Sequence, residues 1–221
     1  DFVGHTNVTL SFWRWLNTDS QPFATATIEL STNGVTWNPI WTNGPSSVLD
    51  ANWSNVQYPL TAGDNHNVYI RWGYQIANGA WAASGWNLDD VVLSGNEILA
   101  AKRTPIWWLI QHGRTNAAFD VEETLDADGD GMLTWQEYVA DTDPTNANSV
   151  LTINSVASTG NNVQVRWEGG RWARQYIEKC ANLMATGEVW QSIQTNSALP
   201  TSVTNTIVDT TAPTNAIMFY R

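Results

Sequence analysis

The chain has 221 residues, enough for one large domain or two to three small ones, and 43% of them are hydrophobic, which excludes global disorder. No apolar run approaches the length a membrane-spanning helix needs. The formal net charge is −11, from 21 acidic and 10 basic residues, with no basic stripe to pair with phosphates, so a nucleic-acid partner is not expected.

The acidity is local. Nine acids, Asp120, Glu122, Glu123, Asp126, Asp128, Asp130, Glu137, Asp141 and Asp143, fall in one window that holds no Lys or Arg. The rest of the chain carries 21 − 9 = 12 acids against 10 bases, a net of −2. Such a cluster repels itself unless it is solvated or neutralised by a cation. The single cysteine, Cys180, rules out a disulfide within the chain and reads as a small buried apolar residue.

Residues 1–97 read as all-β. Val8, Leu10 and Phe12 alternate with Thr9, Ser11 and Trp13, the period-2 pattern of a half-buried strand over residues 7–16. Ala24, Ala26, Ile28 and Leu30 alternate in the same way. Asn33-Gly34 then predicts a hairpin, since both residues tolerate positive φ, with Val35 to Trp41 as the return strand. Further strands are expected at 55–60, 67–74 and 86–94, giving a β-sandwich of jelly-roll type. Because the chain opens directly on a strand, it is expected to be a processed or excerpted piece of a longer protein.

Residues 98–148 change character. Pro105 suits the first turn of a short helix containing Ile106, Trp107, Leu109 and Ile110. Ala117 to Leu125 and Trp135 to Ala140 are predicted as two further helices, the last stopped by Asp143-Pro144. Residues 149–221 return to β, with strands expected at Val150–Val156, Val163–Trp167, Gln175–Lys179, Val189–Ile193, Thr204–Val208 and Ile217–Tyr220. Six strands in about 70 residues suit a small Ig- or fibronectin-like sandwich.

The segment Asp126 to Glu137 matches D-x-D-x-D-G-x5-E at every defined position. Calcium takes six to eight oxygen ligands. Asp126, Asp128 and Asp130 supply side-chain oxygens from alternate positions of a tight loop, and Gly131 permits its sharp turn. Met132 offers its carbonyl, Thr134 sits where a ligand often acts through water, and Glu137 closes the set with both oxygens. Magnesium suits so many protein oxygens less well. No His, Cys or Lys lies in the loop to act as base or nucleophile, so the ion is expected to be structural.

The run DADGDGMLTWQEYVADTDPTN resembles the calcium motifs of thrombospondin type 3 repeats and dockerin modules, above all the linkers of large secreted bacterial proteins. That resemblance covers about 104–148. It implies a turn-fixing role for Asp141 and Asp143, with Asp143 either an extra ligand or a cap over the next turn.

Runs NVTLSFWRWLNT, ATIELSTNGVTW and SGWNLDDVVLSG resemble the MAM-like jelly roll in the tails of immune-inhibitor-A-type bacterial proteases. There a strand normally precedes the first of these runs, which implies that it is missing here. Trp86, Asp89, Asp90 and Val91 match that family's W-x-x-D-D-V, where the aspartates hold a metal or an internal polar contact. A second calcium at Asp89 or Asp90 and a hydrogen-bonded or Arg-paired aspartate are the two readings. VQVRWEGG, YIEKCANL, VWQSI and AIMFYR are similar to fibronectin-type C-terminal modules of the same proteins.

His5, His66 and His112 lack metal-ligand spacing, and no nucleophile-elbow, zinc-protease or phosphate-loop pattern occurs. No enzymatic activity is expected. The 14 tryptophans are several times ordinary usage. Trp13 and Trp15 share parity with Thr9 and Ser11, opposite the predicted core, and Trp37, Trp41, Trp53 and Trp81 lie near turns. Flat indoles stack on sugar rings, so Trp13, Trp15, Trp37, Trp41 and Trp81 are candidate ligand-binding residues, with core or inter-domain packing as the alternative. Asn7-Val8-Thr9 and Asn52-Trp53-Ser54 are glycosylation sequons by pattern.

Three modules are therefore expected: a jelly roll over 1–97, a helical EF-hand-like calcium linker over 98–148 that locks its neighbours, and a fibronectin-like sandwich over 149–221. The expected role is a non-catalytic, calcium-stabilised module of a larger secreted or cell-surface bacterial protein. It would work in adhesion or glycan binding, with a glycan, another surface protein or upstream domains of the same polypeptide as partners. Two alternatives stand beside it. One is a filament or surface-layer subunit assembled by strand exchange. The other is an accessory C-terminal region of a secreted hydrolase or protease.

Overall fold

A computed structural model describes residues 1–181, 183, 189–196, 200–212 and 217–221. The chain is mainly β, and its sheets are antiparallel. It divides into two compact units. The first comprises Asp1–Leu99 with Pro105–Trp107, and the second Ala100–Thr104 with Trp108–Arg221. No helix among the described residues is long and apolar enough to cross a membrane.

The first unit carries β1 (His5–Thr18), β2 (Ala24–Ser31), β3 (Asn38–Thr42), β4 (Val48–Leu49), β5 (Ser54–Pro59), β6 (Tyr69–Ile76) and β7 (Gly85–Glu97). β1 is the central strand of one sheet, pairing with β4 and β5 along one edge and with β7 along the other. β2 is central in the second, between β3 and β6. The alternation read from the sequence is the alternation of burial. Val8, Leu10, Phe12 and Leu16 of β1 and Ala24, Ala26, Ile28 and Leu30 of β2 are buried. Residues of both sheets share one core, with Phe12 edge-on to Trp72 at 5.5 Å, which is the arrangement of a β-sandwich.

Arg14 stands at an inward-facing parity between Phe12 and Leu16. Asp50 meets it with two hydrogen bonds, accepting from Nε at 2.9 Å and Nη2 at 3.0 Å, and also accepts from the Leu16 amide at 2.8 Å. A charge inside a core row is tolerated only when it is paired in this way.

The hairpin after β2 differs from the two-residue turn expected at Asn33-Gly34. Only Gly34 of the two has positive φ, at 70°. The Asn33 side chain accepts the amides of Val35 and Thr36, both at 2.8 Å, so these residues are held in the turn and the return strand starts at Asn38. Local side-chain capture of the backbone competes with the ladder and wins here.

α1 (Ile106–Gln111) contains the division between the units, and α2 (Phe119–Glu122) and α3 (Thr134–Ala140) belong to the second. α2 is shorter than the predicted 117–125. Ala118 is extended and caps it, and the end tightens into i→i−3 bonds, Thr124 to Val121 and Leu125 to Glu122. Trp107 donates from Nε1 to Glu97 at 2.8 Å, whereas the Trp108 ring packs on His112 and Tyr138.

The second unit continues with β8 (Thr152–Thr159), β9 (Asn162–Glu168), β10 (Tyr176–Cys180), β11 (Gln191–Thr195), β12 (Thr204–Asp209) and β13 (Phe219–Tyr220). These form two three-stranded sheets, ordered β12-β9-β8 and β11-β10-β13. Val165, Trp167 and Ile177 are the buried centre, with Ile153, Ile193, Ile207 and Tyr220 packed on it. Cys180 is buried on β10. Asn182 and Ala216, in two of the runs that resemble fibronectin-type modules, lie outside the described residues.

Candidate metal centre

The acidic loop runs from the end of α2 into α3. Its turn is held by its own carboxylates: Asp126 accepts the amides of Gly129 (2.8 Å) and Gly131 (3.1 Å), Asp128 that of Asp130 (3.2 Å), and Asp130 that of Met132 (2.7 Å). Gly129 and Gly131 take φ of 82° and 97°, a region that side-chain-bearing residues rarely adopt, so the bends require glycine. One carboxylate oxygen from each of Asp126, Asp128 and Asp130 lies within 4.8 Å of the others. Among the described residues this is the one such group of three or more His, Cys, Asp or Glu.

Glu137 is not in that group, but it lies close enough for its acid to feel all three aspartates. It lies on α3 and is 0% exposed, and neither of its carboxylate oxygens has a hydrogen-bond partner among the described residues. Asp128 Oδ2 and Asp130 Oδ2 are likewise buried and unpartnered. Burial, and then the carboxylates of Asp128, Asp130, Asp126 and Asp143, push the Glu137 acid up to about 8. Buried carboxylate oxygens of this kind are costly unless something neutralises them. Four such oxygens from three residues, beside a turn whose amides are already satisfied, fit a hard cation that takes many oxygens.

The other predicted residues separate into roles. Thr134 is buried, and its hydroxyl donates to the Leu125 carbonyl at 2.9 Å, as does its amide. Met132 is half-buried, with its amide on Asp130. Asp143 accepts the amide (3.1 Å) and hydroxyl (2.7 Å) of Thr145, so one of its oxygens caps the turn after α3. Asp141 is the left-handed C-cap of α3, at φ 56°, and accepts the Trp172 amide at 2.8 Å. On the helix entry, the Leu133 amide donates to Gln136 Oε1 at 2.8 Å.

Two further buried acids of the same window find partners within the protein, and for one of them the partner is a cation. Glu122 is 1% exposed, with Arg114 Nη2 2.7 Å away and the Ala117 amide donating to it. Glu123 is 0% exposed and accepts the Lys102 amide at 2.6 Å through one oxygen, while its Oε2 is buried without a partner among the described residues. Arg114 lies just outside the acidic window of residues 120–143.

Asp89 and Asp90 are exposed at a β-bulge opposite Phe12, with Asp90 at φ 49° and its amide on Asp89 Oδ1 at 2.8 Å. They belong to no group of three potential ligands among the described residues. The tryptophans also separate. Trp13 is 40% exposed on the outer face of its sheet, and Trp15 is half-buried beside Trp53. Trp37 lies under the Arg71 guanidinium at 4.2 Å. Trp41 packs on the first core, 5.7 Å from Trp86, and Trp81 is exposed with its amide on Asp19. Ring Nδ1 atoms of His5, His66 and His112 each contact a nearby backbone carbonyl.

One functional-looking cluster gave no sequence signal. Lys179 and Asp209 are both buried, with Nζ 2.7 and 2.9 Å from the two carboxylate oxygens, and Thr211 and Tyr220 hydroxyls also donate to Asp209. Burial pushes the Asp209 carboxyl up, but the bonds from Lys179, Thr211 and Tyr220 outweigh it and hold the acid below its usual range. Burial and the facing carboxylate push the Tyr220 phenol up to about 12. Every group is satisfied, which marks the cluster as structural.

The sequence matches no protein-family model, and a search of curated proteins finds no match.

Proposed function

We propose that this chain is a non-catalytic, calcium-stabilised module of a larger secreted or cell-surface protein, acting in adhesion. The observation that carries the reading is Glu137: a fully buried carboxylate with neither oxygen partnered among the described residues, its acid raised by three nearby aspartates that lie at ligand spacing from one another. Asp126, Asp128, Asp130 and Glu137 would hold the ion with their side chains, with Met132 contributing its carbonyl and Thr134 placed for a water-mediated contact. Bound there, calcium supplies the positive charge that the buried carboxylates lack and fixes the loop onto α3. Millimolar extracellular calcium fills even a weak site. On this reading the first unit is a jelly roll of MAM-like type and the second ends in a fibronectin-like sandwich.

Thermal melting tests the proposal. A ligand bound only by the folded state stabilises it by about 2.7 kcal/mol at a hundredfold excess over Kd. Melting temperature should rise by several degrees in calcium and fall back with chelator, and Glu137→Gln should remove the response. An unchanged melting temperature in the parent chain would overturn the reading.

A second reading, assembly by strand exchange, rests on β7. This strand pairs only with β1 among the described residues, and Val91, Val92 and Leu93 on it are exposed. An open edge accepts a further strand. Sedimentation showing a monomer at every concentration would remove that reading.

A further inference from the structure

The outer face of the β5-β1-β7 sheet places indoles and short polar side chains in register. Trp13 stands directly opposite Asn55 on β5 and Asp89 on β7, and Trp15 stands opposite Asn87 on β7. Directly opposed residues of an antiparallel ladder share a face and lie within side-chain reach. Trp53 meets Trp15 edge-on, with ring centroids 6.0 Å apart and planes at 90°. The result is two adjacent rows, Asn55-Trp13-Asp89 and Trp53-Trp15-Asn87.

These side chains are available. Trp13 and Trp53 are 40% and 41% exposed, and Asn55, Asn87 and Asp89 are exposed. The Asn55 carboxamide has no hydrogen bond to any of the described residues. Asn87 donates its side-chain amide to the Trp15 backbone carbonyl at 3.3 Å, and its side-chain oxygen has no hydrogen bond to the described residues. Asp89 keeps one carboxylate oxygen beyond its bond to the Asp90 amide.

We infer that this face binds a neutral polysaccharide of β-linked pyranoses. A pyranose whose hydroxyls are all equatorial presents a C–H face that stacks on an indole, while its hydroxyls point sideways to donors and acceptors at the ring rim. Asn55 and Asp89 flank Trp13 at one strand spacing, about 4.8 Å, on either side, where those hydroxyls fall. The charge decides against other ligands. The only Lys or Arg of β1, β5 and β7 is Arg14, which has the opposite parity and is paired with Asp50, so the two rows offer one carboxylate and no cation. Anionic glycans and nucleic acids are repelled. A protein-docking patch would have an apolar centre, whereas here Trp13 is bracketed by a carboxamide and a carboxylate, and Trp15 by Trp53 and a carboxamide.

The inference gives the adhesive role proposed above a ligand class and does not depend on the calcium loop, since every residue of the face belongs to the first unit. The test is affinity gel electrophoresis of the full chain through soluble barley β-glucan and xylan, with heparin and alginate as anionic arms, in calcium and in chelator. Retardation by a neutral β-linked polysaccharide is expected in both buffers. Trp13→Ala should weaken it tenfold or more and Asn55→Ala several-fold, each with an unchanged circular dichroism spectrum. The inference is overturned if neither neutral polysaccharide retards the chain, if only the anionic ones do, or if Trp13→Ala and Asn55→Ala both migrate as the parent does. A lost calcium effect on melting with retained retardation would overturn the metal reading alone.

Discussion

Glu137 is where the chain's chemistry is most concentrated. Its acid is raised from 4.5 to about 8 by burial and by the aspartates around it. The sign of the consequence follows from linkage. Between those two values the metal-free folded state keeps a proton that the unfolded state has released, so stability falls as pH rises through that window. Melting of the chelated protein followed from pH 4.5 to pH 8 should show a declining temperature. Glu137→Gln should flatten the decline and raise the melting temperature of the chelated protein at the upper end, while losing the calcium response. A variant that merely damaged the fold would lower melting in every buffer. Asp126, Asp128, Asp130 and Glu137 were legible as a set because a metal loop needs oxygens at fixed spacing along a few residues of chain. The fates of Glu122 and Glu123 were not legible. Their partners, Arg114 and the Lys102 amide, come from segments that only folding brings near.

At the scale of elements, alternation predicted the faces of β1 and β2, because a strand with one buried side must repeat with period two. Phe12→Ala should therefore cost about 3–5 kcal/mol, measured by denaturant unfolding of the first unit. The ends of elements followed other forces. Asn33 captured two amides and delayed β3, and extended Ala118 delayed α2. The link between β10 and β12 is the Lys179–Asp209 pair. Removing one partner, as in Lys179→Met, leaves an uncompensated buried charge and should cost about 3–5 kcal/mol, whereas Lys179→Met with Asp209→Leu should recover much of it. The Asp209 acid is held low, so the pair's contribution is present above the ordinary aspartate value of 3.8 and is lost as pH falls through the lower folded value. Acid titration of the double variant should lack that loss.

At the scale of the molecule, the net charge of −11 belongs largely to the second unit's acidic window, residues 120–143, and the first unit draws its stability from an apolar core. Calcium should then protect one unit selectively. Hydrogen exchange measured with and without the ion should slow over residues 119–140 and leave the amides of β1 and β2 unchanged. Slowing of equal size in β1 would contradict a site confined to the loop. The same division separates the calcium reading from the sugar-binding face, so each can fail alone.

By itself the sequence determined the strand-rich class, the inward faces of the first strands, and the oxygen-rich loop, all of which are set by spacing within a few residues. Tertiary structure alone decided that Arg114 pairs with Glu122, that both Glu137 oxygens are buried without partners among the described residues, and that Arg14 sits in a core row against Asp50. It also decided that Asn55 and Asp89 flank Trp13, on strands 42 residues later (55 − 13) and 76 residues later (89 − 13) in the chain. The reason is physical. Local pattern fixes which way a side chain faces, whereas strand pairing and its register fix what it faces, and a bulge such as that at Asp90 resets the register.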